Sequence, residues 1–317
     1  MEAAPDPNLS LSGVPADRWA KEPGVRIGPG GPYARRLVAH PSNSLRLRDG
    51  TLRLYFYGAD ADHGYLLSAT STDWGLTWRA DPGYRLRSQP REKWVSDPFV
   101  LPLRTGGYRL YYKAYRPGWR GCLFSAYSRD GLEWEREGIR LMPGPPGAPD
   151  SARTCFPWLA PGAEPAFRLY YGGSADPEPF GLFRILSATS RDGITWRRDD
   201  GVRIDRGMAG APDRGGALMP AVYRLGDGRV RMYYVGGNGE VGWRAILSAV
   251  SRDGLKWRRE PGVRLAPGPE GTPDAAGLVK PSVLGLPDGR FRMFYVGMDG
   301  ASARILSATA ERGDGVT

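Results

Sequence analysis

Cysteine and histidine are almost missing from this chain, with two of each in 317 residues. Cys122 and Cys155 are too few for a disulfide framework, and so few imidazoles leave no material for a zinc site. Lysine is scarce too: of the 44 basic residues only Lys21, Lys93, Lys113, Lys256 and Lys280 are lysines. The formal net charge of +10 is therefore carried by arginine, spread along the chain rather than gathered into a stripe. That distribution points to a solvated surface and argues against a nucleic-acid partner. No run approaches the roughly 18 apolar residues of a membrane span, and the N-terminal MEAAPDPNLSLSGV has neither a basic leader nor an apolar core. No membrane association and a cytoplasmic location are expected. Nucleotide-binding glycine motifs and metal-ligand clusters are lacking, so neither an organic cofactor nor a metal is expected.

What the chain has is repetition. Glycine (45) and proline (29) are abundant, as many short strands joined by tight turns require. One unit recurs at a spacing of about 60 residues. Its third strand and turn read LLSATSTDWGLTW, LFSAYSRDGLEW, ILSATSRDGITW, ILSAVSRDGLKW and ILSATAERGDG. An aromatic strand precedes each (LYFYGAD, LYYKAYR, LYYGGS, MYYVGGN, MFYVGMD), and before that comes a short apolar strand with an early proline (AHPSNSLRL, VSDPFVLPL, TCFPWLAP, LMPAVYRL, VKPSVLGL). A fourth strand follows the tryptophan. Four strands per unit and five units predict an all-β, five-bladed β-propeller spanning 1–317 as one domain. The blades fall at about 34–87, 94–142, 153–205, 216–266 and 277–310 plus 18–27. The fifth unit lacks its fourth strand, and WAKEPGVRI at Trp19–Ile27 resembles WRREPGVRL at Trp257–Leu265. The N-terminal strand is thus expected to complete the C-terminal blade and close the ring, leaving no bare edge.

The Ser-x-Asp-Gly-x-x-Trp turn stands at Ser71/Asp73/Trp78, Ser128/Asp130/Trp134, Ser190/Asp192/Trp196 and Ser251/Asp253/Trp257. Its recurrence assigns it to the scaffold: the Asp caps backbone N–H groups, the Gly supplies a positive φ and the Trp packs between sheets. These turns resemble the Asp-boxes of sialidases. The blade number and x-Pro first strands resemble the five-bladed arabinanase, xylosidase and invertase-like glycoside hydrolases. That resemblance implies a glycoside-hydrolase-like fold, a sugar-like substrate and three acidic residues on the inner strands of the first three blades. Aligned on the prolines, this chain offers Ala39-His40-Pro41, Ser96-Asp97-Pro98 and Cys155-Phe156-Pro157. Only Asp97 matches, with His40 at the base or nucleophile position and Cys155 at that of the acid. Glycosidic hydrolysis ordinarily uses two carboxyl groups, so the usual pair is missing.

In a repeat protein the positions that differ between repeats are the functional candidates. The residue ahead of each first-strand proline is His40, Asp97, Phe156, Met219 and Lys280 in turn. An imidazole, a carboxylate, an ammonium and two apolar groups meeting near the axis suit a small-molecule site. Asp97 with His40 or Lys280 reads either as a plain ion pair or as acid/base catalysis, with Lys280 balancing substrate charge. Cys155 with His40 and Asp97 has the composition of a thiol triad, although buried thiols are usually inert. Lys113 replaces Tyr57, Gly172, Val235 and Val296 at the equivalent second-strand position, and Tyr115 follows it. Arg244 and Arg304 are the arginines expected to reach inward and clamp an anion. Asp213, like Asp150 and Asp274, stands in a Gly-x-Pro-Asp loop and is either a turn cap or a replacement acid; Glu92, Asp60, Asp62, Glu178 and Glu240 are the other loop acids that offer a replacement. Trp158 is either a stacking platform or core.

The expected protein is a glycoside-hydrolase-like enzyme acting by acid/base chemistry on a small polar substrate, anionic or sugar-like. Catalysis is assigned to Asp97, His40 and Lys280, and substrate contact to Lys113, Tyr115, Cys155, Phe156, Trp158, Asp213, Met219, Arg244 and Arg304. A cyclase, lyase or isomerase on the same scaffold, and a sugar or metabolite binder without turnover, are the alternatives.

Overall fold

The structure is a computed structural model that describes residues 11, 14–15, 17–30, 34, 36–60, 63–89, 92, 94–116, 119–160, 167–176, 182–238 and 244–313. These residues contain strands and turns and no helix; five antiparallel sheets stand around one axis as the blades of a propeller. Blade 1 has an interrupted first strand, Leu37–Ala39 and Leu45–Arg46, followed by Leu52–Ala59, Gly64–Ser71 and a split outer strand at Arg79–Ala80 and Leu86–Arg87. Blade 2 comprises Val95–Pro102, Tyr108–Arg116, Trp119–Ser128 and Glu135–Leu141. Blade 3 comprises Arg153–Ala160, Phe167–Ser174, Arg184–Ser190 and Arg197–Arg198, and blade 4 Gly216–Arg224, Val230–Gly237, Arg244–Ser251 and Arg258–Arg259. Blade 5 has only three strands of its own, Gly277–Gly285, Phe291–Met298 and Ala303–Ala310. Its fourth is Ala20–Lys21, which pairs with Thr309 and Ala308.

The repeated turns hold blade to blade. In each, the serine hydroxyl accepts the N–H of the turn glycine at 2.8–2.9 Å, while the Asp carboxylate accepts the backbone N–H groups that follow. The N–H groups of Lys256 and Leu255 hold the Asp253 carboxyl down at about 2. The turn glycine's carbonyl accepts the phenol of the preceding blade: Tyr55 donates to Gly131, Tyr111 to Gly193 and Tyr170 to Gly254 at 2.7–2.8 Å. Gly254 has a φ of +71°, and a Cβ there would lie 2.6 Å from the Tyr170 oxygen, so conformation and space both demand glycine. The turn tryptophan meets the same ring edge-on, in the pairs Tyr55–Trp134, Tyr111–Trp196, Tyr170–Trp257 and Phe294–Trp78. The fifth pair is Tyr233–Trp19, with centroids 5.8 Å apart. Trp19 is thus the tryptophan of the blade 5 turn, supplied by the other end of the chain.

A second repeated device commits some of the arginines. Glu137 receives Arg109 and Ser125, Glu260 receives Arg231 and Ser248, and Glu22 of the N-terminal segment receives Arg292 and Ser307 of blade 5. These arginines are buried and committed to their own blades. The dispersed positive charge is in this part scaffold rather than a ligand-binding face.

Candidate active site on the propeller axis

Four of the inner strands carry one extra residue at the x-Pro step, and the inner strand of blade 1 is interrupted there. Between Val279 and Ser282 the chain advances three residues while its partner goes from Val296 to Phe294; the same mismatch recurs from Cys155 to Trp158, Leu218 to Ala221 and Ser96 to Phe99. Proline, lacking a donor, fits such a bulge. The residue ahead of it adopts a left-handed conformation in all five blades: His40 (φ 50°), Asp97 (57°), Phe156 (58°), Met219 (55°) and Lys280 (55°). None is glycine, and a non-glycine residue in this region costs on the order of 1–3 kcal/mol. Five unlike side chains thus share one strained backbone conformation at equivalent positions of the inner strands.

Asp97 is wholly buried and lies between His40 and Lys113. His40 Nδ1 lies 2.5 Å from its Oδ1 and Lys113 Nζ 3.1 Å from its Oδ2. Burial alone works against the charge of Asp97, but Lys113, His40 and Lys280 outweigh it and pull the carboxyl well below the usual range. Lys113 is buried as well; its desolvation is overcome chiefly by Asp97, and its pKa is raised. The Lys113 ammonium also lies 5.1 Å from the Tyr115 ring centroid and 5.4 Å from that of Phe156. His40 stands between Tyr57 and Phe156, with ring centroids at 5.8 and 6.3 Å, and its side chain retains 20% exposure. Asp97 is thereby favoured as a carboxylate, set against the His40 imidazole.

Lys280 is different from Lys113. It has 0% exposure, and its Nζ makes no hydrogen bond among the described residues. Burial pushes its pKa down to about 8, helped by the charge of Lys113 and opposed by Asp97. Around these polar groups lies one apolar cluster containing Phe156, Met219, Cys155, Val279, Val296, Val235, Tyr57 and Phe183. Burial pushes the Cys155 thiol up to about 11, which works against a thiolate there.

The structure gathers His40, Asp97, Lys280, Lys113, Tyr115, Cys155, Phe156 and Met219, and it places other candidates elsewhere. Trp158 is core: it is fully buried, its indole donates to the Val222 carbonyl at 3.0 Å, and it packs edge-on against Phe99 and Tyr223. Asp213 accepts the Tyr234 hydroxyl and pairs with Arg259 at 2.8 Å. Asp150 does the same with Tyr171 and Arg198, and Asp274 with Tyr295 and Lys21, so the Pro-Asp loop is a repeated clasp and not a replacement acid. Glu92 likewise pairs with Arg136. Arg304 does not turn inward as expected, because it is paired with Asp299 on its own blade. Arg244 opens the third strand of blade 4 opposite Gly237, with its pKa lowered by burial. Asp60 accepts the Tyr65 hydroxyl, whereas Asp62, Glu178 and Glu240 lie outside the described residues.

Tyr57 is the site residue the sequence reading passed over. Burial, opposed by Lys113 and supported by Asp97, pushes its phenol up to about 12, and it flanks His40. Its signal was available, since it occupies the same second-strand position as Lys113. A divalent cation does not fit this ring: its one carboxylate already carries two basic groups, and Lys280 adds a third.

No family model matches the chain. The uncharacterized protein Rv1502 of Mycobacterium tuberculosis is 27% identical over 223 residues, covering 62% of this chain and 67% of that protein. Solved structures give the fold. A member of the GH130 family of mannoside phosphorylases, which contains glycoside hydrolases targeting β-1,2 mannosidic linkages in Candida mannan, superposes with a TM-score of 0.72 at 15% identity, covering 100% of this chain and 98% of that one. A thermostable family-43 glycoside hydrolase superposes with a TM-score of 0.69 at 16% identity, covering 91% and 94%. A further glycoside hydrolase gives 0.73 at 17% identity, covering 94% and 95%. The chain therefore has the five-bladed propeller fold that these glycoside hydrolases share.

Proposed function

We propose that the protein is an enzyme on a glycoside-hydrolase-like propeller that binds a small anionic or sugar-like molecule at the axial mouth and transfers protons through His40. The observation that carries this is the clamp on Asp97. A carboxylate fixed by Lys113 on one oxygen and facing His40 Nδ1 on the other sets the imidazole's tautomer and orientation. The opposite ring nitrogen then serves as the general acid or base. Lys280 supplies positive charge for an anionic substrate group or for charge developing during reaction. Phe156, Met219 and Tyr57 form the apolar walls.

A single carboxylate held in its charged form does not provide the acid and base of ordinary glycoside hydrolysis. Proton transfer without hydrolysis, as in a cyclase, lyase or isomerase, needs no second carboxylate, and this favours a non-hydrolytic reaction. Glycosidase neighbours support a sugar-like ligand.

The test combines calorimetric titration of glucose 6-phosphate and glucuronate with proton NMR of the same mixtures. Binding at one site is expected, with a time-dependent spectral change in a substrate of this class. His40→Gln should keep binding while slowing the change by about 10²–10⁴-fold. Retained binding without turnover in wild type would make the protein a binder. Binding unaffected by substitutions at both His40 and Lys280 would remove the axial site altogether.

A further inference from the structure

Lys280 has no structural employment. Lys21 closes the ring on Asp274 at 2.6 Å, Lys113 clamps Asp97, and Lys256 is exposed. Lys280 alone combines complete burial with a nitrogen that meets no hydrogen-bond partner among the described residues. An ammonium in that position forfeits its hydration without a compensating contact, which is among the costliest arrangements a fold retains. Its backbone is strained into the left-handed region to place the side chain on the axis.

The surroundings favour the free amine. Val279, its neighbour in the chain, belongs to one apolar cluster with Val296, Met219 and Phe156, and the Lys113 charge repels an ammonium, with only Asp97 opposing. Asp97 is already engaged by two other basic groups. Above about pH 8 this group is an uncharged primary amine near the same carboxylate that faces His40, and so a nucleophile with a proton-transfer partner at hand.

We propose that Lys280 is a covalent attachment point for a carbonyl substrate, condensing as a Schiff base with an aldehyde, a ketone or a 2-oxo acid of sugar size. The nitrogen lone pair forms the N–C bond while the carbonyl π pair moves to oxygen, which takes a proton. The nitrogen gives up one proton, the new hydroxyl takes a second proton from solvent and leaves as water, and the nitrogen lone pair completes the C=N bond, the nitrogen keeping its other proton as an iminium. Nothing is oxidised or reduced. His40 accepts and returns the protons, and Asp97 faces the resulting iminium charge. The iminium draws electrons from an adjacent C–H or C–C bond, which is the chemistry of an isomerase or lyase. This rests on the axial site proposed above and narrows its substrate class.

The test is reductive trapping in the full-length protein with glycolaldehyde and, separately, pyruvate, using sodium borohydride and then peptide mass mapping. With five lysines in the chain, every site of attachment is resolvable. The expected result is labelling of Lys280 in excess of the exposed Lys21 and Lys256, increasing as pH rises through about 8. Labelling confined to Lys21, Lys93 or Lys256 would overturn the proposal. Lys280→Arg keeps the charge but cannot form the imine, so it should bind glucose 6-phosphate and lose trapping and turnover. Turnover retained in Lys280→Arg would overturn covalent chemistry while leaving the axial site standing. Trapping in the wild-type chain needs no variant to fold.

Discussion

Removing the amine of Lys280 is expected to make the protein more stable, and the size of the gain follows from its surroundings. The group's pKa falls from an ordinary 10.5 to about 8 in the folded chain. One pKa unit corresponds to about 1.4 kcal/mol, so the folded state carries a penalty on the order of 3 kcal/mol whenever the amine is charged in the unfolded chain. Below pH 8 both states hold the proton and the whole penalty is present. Between pH 8 and 10.5 the unfolded chain holds more protons than the folded one, so stability rises with pH through that window. Lys280→Met keeps the length and the apolar stem. It should therefore unfold at higher urea concentration than wild type at pH 7, by about 3 kcal/mol, with the difference shrinking from about pH 8 and nearly gone by pH 10.5. Urea unfolding of both proteins from pH 6 to 10.5 measures this, and other groups cancel in the difference. A destabilised Lys280→Met at pH 7, or a difference independent of pH, would refute the reasoning.

Three further outcomes follow. Asp97→Asn strips Lys113, His40 and Lys280 of their counter-charge and should cost about 3–5 kcal/mol in urea unfolding, with part regained in the double variant with Lys280→Met; a loss below about 1 kcal/mol would contradict the clamp. Trp19→Ala removes the aromatic that completes the blade 5 turn and should cost about 3–5 kcal/mol, and an unchanged urea midpoint would show that the closing strand carries no load. Asp213→Asn should lower stability by about 1–3 kcal/mol through loss of its clasp to Arg259 and leave binding of glucose 6-phosphate unchanged, whereas lost binding would return Asp213 to the site.

The ring was legible because its devices are local and recurrent. Ser, Asp, Gly and Trp at fixed offsets report a turn whose hydrogen bonds span only a few residues, and the likeness of Trp19–Ile27 to Trp257–Leu265 betrayed the closure. The axial residues were legible for the complementary reason: five equivalent positions with five unlike side chains. The partners of those residues were not. That Lys113 grips Asp97 depends on the bulge placing Ser96, not Asp97, opposite Lys113, and no spacing reveals that register. Trp158 and Asp213 misled because an aromatic or a carboxylate near an axial proline looks functional until its hydrogen bonds to Val222 or to Tyr234 are visible. Arg304 misled similarly, its partner Asp299 lying five residues back in the loop of its own blade.

The most direct measurement of the central claim is a crystal structure of the protein soaked with glucose 6-phosphate. The account predicts ligand density on the axis, within hydrogen-bond distance of the His40 ring nitrogen remote from Asp97 and against the Phe156 and Met219 side chains. Ligand density only on the outer surface of the blades, with the axis filled by side chains in every soaked crystal, would contradict it.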